Sequence, residues 1–283
     1  MLNVLFLSLV ILSISLQNIF KKAYNIKIGN KGSFVFSAGL VLSAALFFLF
    51  SSGFKLDFKA EVIPYSLAFA ASYGTAVLMG FLAINVGSLS LTSLINSYSL
   101  IIPTFWGLFF MGEGASLFFW IGLGILFVSL FLMNFGRAGT KITLKWVVFV
   151  FLSFLGNGIC SAVLTAQQKA FGGLYKNEMM IMALLTVAIV LVGVAAFRER
   201  GEVKESLRGA HFMIACGVAN GVCNLLVMIL SVKMPASIMY PVISAGGIII
   251  TGIVSLLIYR EKLSVNQCIA LLLGTVSVVL MNI

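Results

Sequence analysis

Charge is scarce in this sequence. Asp, Glu, Lys and Arg make up only 9% of its 283 residues, while 61% are hydrophobic, against roughly 25% charged and 45 to 50% apolar residues in an ordinary soluble domain. That shortage excludes a soluble globular fold. Acids are the rarer sign: Asp57, Glu61, Glu113, Glu178, Glu199, Glu202, Glu205 and Glu261 are all there are, and each stands between apolar runs or at the end of one. No carboxylate is therefore expected at mid-membrane depth. A single Asp excludes an intramembrane aspartyl hydrolase, which needs two, and a serine hydrolase lacks its base, because the lone His211 falls near a membrane interface. No metal-ligand cluster, phosphate loop or cofactor fingerprint is present, so neither an enzyme nor a cofactor is expected. The four cysteines, Cys160, Cys216, Cys223 and Cys268, lie inside apolar runs, and Cys216 and Cys223 share one helical face. They read as small packing residues rather than disulfide partners or metal ligands.

Apolar runs are what the sequence has. Ten can be marked: roughly 2–20, 33–52, 62–84, 88–110, 115–135, 146–167, 179–197, 209–230, 237–258 and 264–282. A helical span needs about 20 apolar residues to cross about 30 Å of hydrocarbon, so the expected fold is all-α, a polytopic membrane protein of ten transmembrane helices. The first run lacks a basic leader and is followed by Lys21 and Lys22 rather than small residues, so it reads as a retained span and not a cleaved signal. The net charge of +10 resides in the short breaks. It marks loops against a lipid bilayer, not a surface for nucleic acid.

Shifted by 148 residues, the sequence aligns the ends of its two halves without a gap. Phe6, Leu7, Ile11, Ser13, Leu16 and Lys21 fall on Phe154, Leu155, Ile159, Ser161, Leu164 and Lys169. Glu113 meets Glu261, and Leu132, Met133 and Asn134 return as Leu280, Met281 and Asn282. The second and seventh runs match poorly. The expected organisation is one five-helix repeat over 1–136, a loop over 137–148 and a second five-helix repeat over 149–283. Five is odd, so the second repeat enters the bilayer upside down. Loop charge agrees: the first loop carries four basic residues and the second two, whereas the corresponding loops of the other half carry two and four. Over the chain, odd-numbered loops hold thirteen Lys and Arg and even-numbered loops five, a count that puts both termini outside.

Two stretches carry a resemblance: Phe109-Phe110-Met111-Gly112-Glu113 ahead of the Gly-containing span Ile121 to Asn134, and Tyr259-Arg260-Glu261-Lys262-Leu263-Ser264 ahead of Val265 to Asn282. They resemble the end-of-repeat signature of EamA-type transporters in the drug/metabolite transporter superfamily. The resemblance implies a transporter with a central cavity between the two halves, lined by the first, third, fourth, sixth, eighth and ninth spans, and both termini in the cytoplasm. That orientation is opposite to the one the loop charges give. The stretch Ser244 to Ser255 also resembles the small multidrug resistance proteins of the same superfamily, but the membrane carboxylate of their first span has no counterpart in Leu2 to Phe20 or Trp146 to Gln167.

With acids absent from the spans, hydrogen-bonding side chains and aromatics are the candidates for contact with a solute. The sixth span carries a stripe of Asn157, Ser161, Thr165 and Gln168, answered in the first span by Ser13, Gln17 and Lys21. The eighth carries Asn220 and Asn224 with Gly217 and Gly221 beside them; a buried amide must face protein, water or ligand. The fourth adds Thr92, Asn96, Ser97 and Tyr98 ahead of Pro103, where a kink is expected. Tyr73 in the third span and Tyr240 in the ninth complete the set, while Gly247, Thr251 and Ser255 suit close helix packing. Interhelical hydrogen bonding is the structural alternative for every member of these stripes. Lys21 and Lys169 read as snorkelling anchors, or else as anion-attracting groups at the two mouths; Glu113 and Glu261 read as caps of the turn into the next helix.

The function expected from these features is secondary transport of a small neutral, zwitterionic or amphipathic solute by alternating access, in a cell membrane, by a monomer or homodimer. The alternative is a passive channel or a membrane scaffold. A channel would be expected to show rings of one charge or a carbonyl filter.

Overall fold

The computed structural model describes residues 2–29, 31–86, 92, 95, 96, 98–134, 143–257 and 265–281. Ser97, Glu261 and Asn282 fall outside that set, as do the side chains of Thr251 and Ser255. Among the described residues the long elements are all helices: α1 Leu2–Ile28, α2 Ser33–Ser51, α3 Ile63–Val86, α4 Ile101–Phe110, α5 Leu117–Asn134, α6 Leu144–Ala170, α7 Lys176–Arg198, α8 Ala210–Lys233, α9 Ala236–Leu257 and α10 Val265–Met281. Runs this apolar belong in hydrocarbon, where backbone groups find no water, and a helix satisfies them within the segment. By length and composition six stretches among the described residues can cross a membrane: Leu2–Ile28, Ser33–Ser51, Ala60–Gly80, Leu144–Ala170, Lys176–Arg198 and Val203–Lys233. Large side chains such as Leu67, Ile189 and Phe197 are exposed on the outside of the helices, where lipid is their natural solvent.

Several helices outrun their apolar stretches. α1 continues beyond the expected end near residue 20, through Lys21 and Lys27 to Ile28. A lysine carries its ammonium to the interface on a long apolar stem, and a cation suits a helix C-terminus. In the fourth segment a 3-10 turn at Tyr98–Leu100 leads into α4. Pro103 thus occupies the first turn of α4, where a missing N–H breaks no intrahelical bond. Pro241 does lie inside its helix, α9.

The helices pack mainly across the two halves of the chain. α1 lies on α8 and α9, α3 on α6 and α7, α2 on α7 and α8, α4 on α6 and α9, and α5 on α10, with further contacts of α6 with α8 and α9 with α10. Small residues set the closest crossings. A Cβ on Gly217 would run into the Leu40 carbonyl and Ser43 of α2, and one on Gly156 would run into the Ser72 carbonyl and Ala76 amide of α3. Gly221 likewise takes the ring of Phe47. Lipid offers no hydrophobic drive between helices, so close backbone approach supplies the association. Gly217→Ala is expected to destabilise the detergent-solubilised protein by about 1 to 3 kcal/mol, read as a lowered Tm. An unchanged Tm would mean that α8 does not sit this close to α2.

Two faces are defined by the connections. On the first, the α7–α8 link meets the start of α2: Glu199 accepts from the Phe34 and Val35 amides at 3.0 and 2.9 Å, and Glu202 from the Gly32 amide at 2.7 Å. Lys31 pairs with Glu205 at 3.6 Å. Gly32 has a φ of 64°, and a Cβ there would strike Ser206, so this joint admits only glycine. On the opposite face the Asp57 amide donates to Glu178 at 3.1 Å, and the α4–α5, α6–α7 and α8–α9 links converge on Glu113, as described below.

Candidate functional site

A cavity of about 310 Å³ enters from the first face among α1, α2 and α3. Its wall holds Lys21, Tyr24 and Asn25 from the end of α1, Ser33, Phe36, Ser37, Leu40 and Val41 from α2, and Tyr73, Val77 and Gly80 from α3. Polar groups cluster where α1 ends and α2 begins, and Tyr73 lies mid-helix, its ring stacked on Phe69 at 5.6 Å. The volume is within the range of small-molecule sites. A second void of about 20 Å³, between Tyr98, Thr104, Leu126, Phe127, Pro241 and Ser244 among others, holds little more than one water.

Polar contacts tie helices of the cavity wall to their neighbours. Gln17, one turn before Lys21, accepts from Asn220 Nδ2 at 3.1 Å, and Asn224 Nδ2 donates to the Asn220 carbonyl and Oδ1, both at 3.0 Å. A ladder of three amides thus joins α1 to α8. Beyond Gly80, Ser153 of α6 donates to the Ala76 carbonyl at 2.9 Å, and Asn157 Nδ2 reaches Ser99 Oγ at 2.5 Å. Ser99 in turn donates to the Asn96 carbonyl at 2.6 Å. The Asn96 Oδ1 is buried without a hydrogen-bond partner among the described residues, an orphan that a ligand or water would satisfy.

Other candidates are turned into the packing. Tyr240 donates to the Ser161 carbonyl at 2.9 Å and lies 2.8 Å from Thr165 Oγ1, clamping α9 to α6. Ser161 Oγ bonds back to the Asn157 carbonyl. Tyr98 packs on Phe127 and donates to its carbonyl at 3.3 Å. Gln168, fully buried, donates to Gln167 and faces the Leu174 carbonyl at the end of α6. Of the ten residues singled out by sequence, Tyr73 lines the large cavity and Tyr98 the small void. Gln17, Asn220 and Asn224 meet in one ladder, and Asn96 and Asn157 in another.

The opposite face carries a cross-half pairing in which Glu113 and Lys169 take roles other than cap and anchor. Glu113 does not cap α5, whose first turn is held by Ser116 accepting from the Phe119 amide at 3.1 Å. Its carboxylate reaches across the halves to α9, taking the Ala236 and Ser237 amides at 2.9 and 2.8 Å. Lys169 is no free anchor either: its ammonium lies 2.5 Å from the same carboxylate. Burial pushes the Glu113 carboxyl up, but the Lys169 bond and the two α9 amides outweigh it and hold the group below its ordinary value of 4.5. A depressed carboxyl adds stability that is complete above its ordinary value and is lost as pH falls through the lowered one. The Tm difference between wild type and Glu113→Gln is therefore expected to be constant near neutrality and to close as pH falls below the carboxyl's ordinary value of 4.5. A difference that is flat over the whole range would mean the carboxylate is not held in this way.

Lys21, Tyr24, Asn25, Ser33 and Ser37 were not placed at a cavity by sequence alone, apart from the mouth role weighed for Lys21. A signal existed, however. At the offset of 148 residues, Tyr24, Asn25, Ser33, Ser37 and Tyr73 fall on Gly172, Gly173, Ile181, Leu185 and Gly221, so the polar set belongs to one half only.

Residues 144–283 match the model of the EamA-like transporter family, a match that opens on the first residue of α6. One solved crystal structure shares the fold at a TM-score of 0.82 and 12% identity, over 99% of this chain and 98% of that one. No curated protein matches the sequence. The apolar helices and the family match together make this chain a multi-pass membrane protein that belongs to the EamA-type transporters of the drug/metabolite transporter superfamily.

Proposed function

We propose that the protein is a secondary transporter that carries a small neutral, zwitterionic or amphipathic solute across a cell membrane by alternating access. Two inverted five-helix repeats, α1–α5 and α6–α10, would rock against each other, with the cavity among α1, α2 and α3 opening and closing as they move. The observation that carries this reading is one-sidedness. The large cavity enters at the first face, while at the other the Lys169–Glu113–α9 junction ties helices of the two halves together and would close that end. A carrier needs one closed end at any moment; a passive channel does not, and nothing in the geometry favours the channel.

Helix packing supports the repeat. Exchanging α1 with α6, α2 with α7 and so on turns the α1–α8 contact into α6–α3, α2–α8 into α7–α3 and α1–α9 into α6–α4, all of which occur. The contacts α2–α7, α4–α9 and α5–α10 map onto themselves. Loop charge supports one orientation of these faces. The α1–α2 and α7–α8 regions carry eight basic residues, Lys21, Lys22, Lys27, Lys31, Arg198, Arg200, Lys204 and Arg208, against Lys55, Lys59, Lys169, Lys176 and Lys233 opposite. By the positive-inside rule the cavity mouth faces the cytoplasm. Tyr73 would contact the solute, with Asn96 and Asn157 beneath it, while the Gln17–Asn220–Asn224 ladder would join the moving helices.

Purified protein in liposomes should give saturable uptake of at least one compound from a screen of radiolabelled amino acids, nucleosides and amphipathic drugs. Asn220→Leu, which leaves Gln17 Oε1 without its donor, should lower that flux about ten-fold. Flux that never saturates would overturn the carrier reading, as would flux of every compound indifferent to the substitution.

A further inference from the structure

We infer that the cavity receives a solute bearing an anionic group, a carboxylate above all, which pairs with Lys21 while a compact apolar body lies against Phe36, Leu40 and Tyr73. The inference deepens the transporter reading and rests on it for the purpose of the cavity. It begins from a difference between two equivalent lysines. Lys169 gives its ammonium to Glu113. Lys21, at the same place in the first half, is exposed, lines the cavity and makes no ion pair among the described residues.

The acids nearest the mouth are already engaged. Glu199 and Glu202 are bound by amides at the start of α2, and Glu205 pairs with Lys31. Among the described residues no carboxylate lines the cavity, so one cation faces a pocket whose remaining polar groups are hydroxyls, an amide and phenols. Such a lining penalises a cationic solute and rewards an anion or zwitterion, because a charge-assisted hydrogen bond outweighs a neutral one. Phe36, Leu40, Val41 and Val77 supply the apolar wall for the rest of the molecule.

The test uses the full chain in phosphatidylcholine liposomes and pairs of probes that differ only in a carboxylate: N-acetyl-alanine, N-acetyl-leucine and N-acetyl-phenylalanine against their carboxamides. At least one acid should bind about ten-fold tighter than its amide. Lys21→Gln and Lys21→Met should erase the preference, and Lys21→Arg should keep it. Equal binding of acids and amides, or a preference that survives Lys21→Gln in monodisperse protein, overturns the inference. So does loss of acid binding on adding phosphatidylglycerol, with less of that lipid retained by Lys21→Gln, because the ammonium then belongs to a lipid headgroup. The two readings fail separately. Saturable flux without any carboxylate preference removes the anion and leaves the transporter; Lys21-dependent binding of acids without flux of any compound removes the transporter and leaves the site.

Discussion

Glu113→Leu is expected to lower stability by about 3 kcal/mol. One carboxylate serves three donors from two helices, the Lys169 ammonium and the Ala236 and Ser237 amides. Leucine fills similar space and accepts nothing, so an ammonium and two amides at the start of α9 lose their partner together. Lys169 is about a third exposed, and water recovers part of its loss; the amides account for most of the rest. The charge swap Glu113→Lys with Lys169→Glu separates the contributions. It restores the ion pair but presents no carboxylate to α9, so only about 1 kcal/mol should return. Thermal unfolding in detergent reads both numbers. Full recovery by the swap would assign the junction to charge alone, and an unchanged Tm in the single variant would remove it as a closure of the second face.

Filling the cavity from α2 should act in the opposite way, with a large effect on transport and a small one on stability. Ser33→Ile with Ser37→Leu copies into α2 the residues that stand 148 positions further on, Ile181 and Leu185. Ser37 Oγ bonds only to the Ser33 carbonyl of its own helix among the described residues, so its removal orphans no partner on another element. The added methyl and methylene groups would enter the space where the solute is proposed to lie. Solute flux in liposomes is expected to fall at least about ten-fold while Tm holds or rises by a few degrees. Unchanged flux would move the permeation path away from α1, α2 and α3.

Helix content was legible in the amino-acid sequence because hydrocarbon leaves a long apolar run few other choices. The limits were less so. α1 and α6 run on past their apolar stretches to Ile28 and Ala170, because lysine and glutamine stay helical where their polar ends reach water or a neighbour. The family was legible from short motifs, and the Glu113 within one of them was found as a cap. Which helix it caps was not visible, since α9 begins more than a hundred residues further on. The Asn157, Ser161, Thr165 and Gln168 stripe is a regular one, yet its members part company: Asn157 turns to Ser99, Thr165 to Tyr240 and Gln168 to Gln167. Periodicity finds the shared face of a helix and says nothing about what stands opposite each turn of it.

By itself the amino-acid sequence determined that this chain is helical, lies in a membrane and carries the marks of the EamA-type transporters, because hydropathy and local motifs are properties of contiguous residues. Tertiary structure alone decided which polar groups are spent on neighbours and which face open space. Lys21 and Lys169 are the same residue at the same place in two halves, and one lines a cavity while the other is bound by Glu113. A polar group in an apolar medium must find a partner, and whether that partner is protein or something that enters from outside depends on side chains brought together from distant parts of the chain.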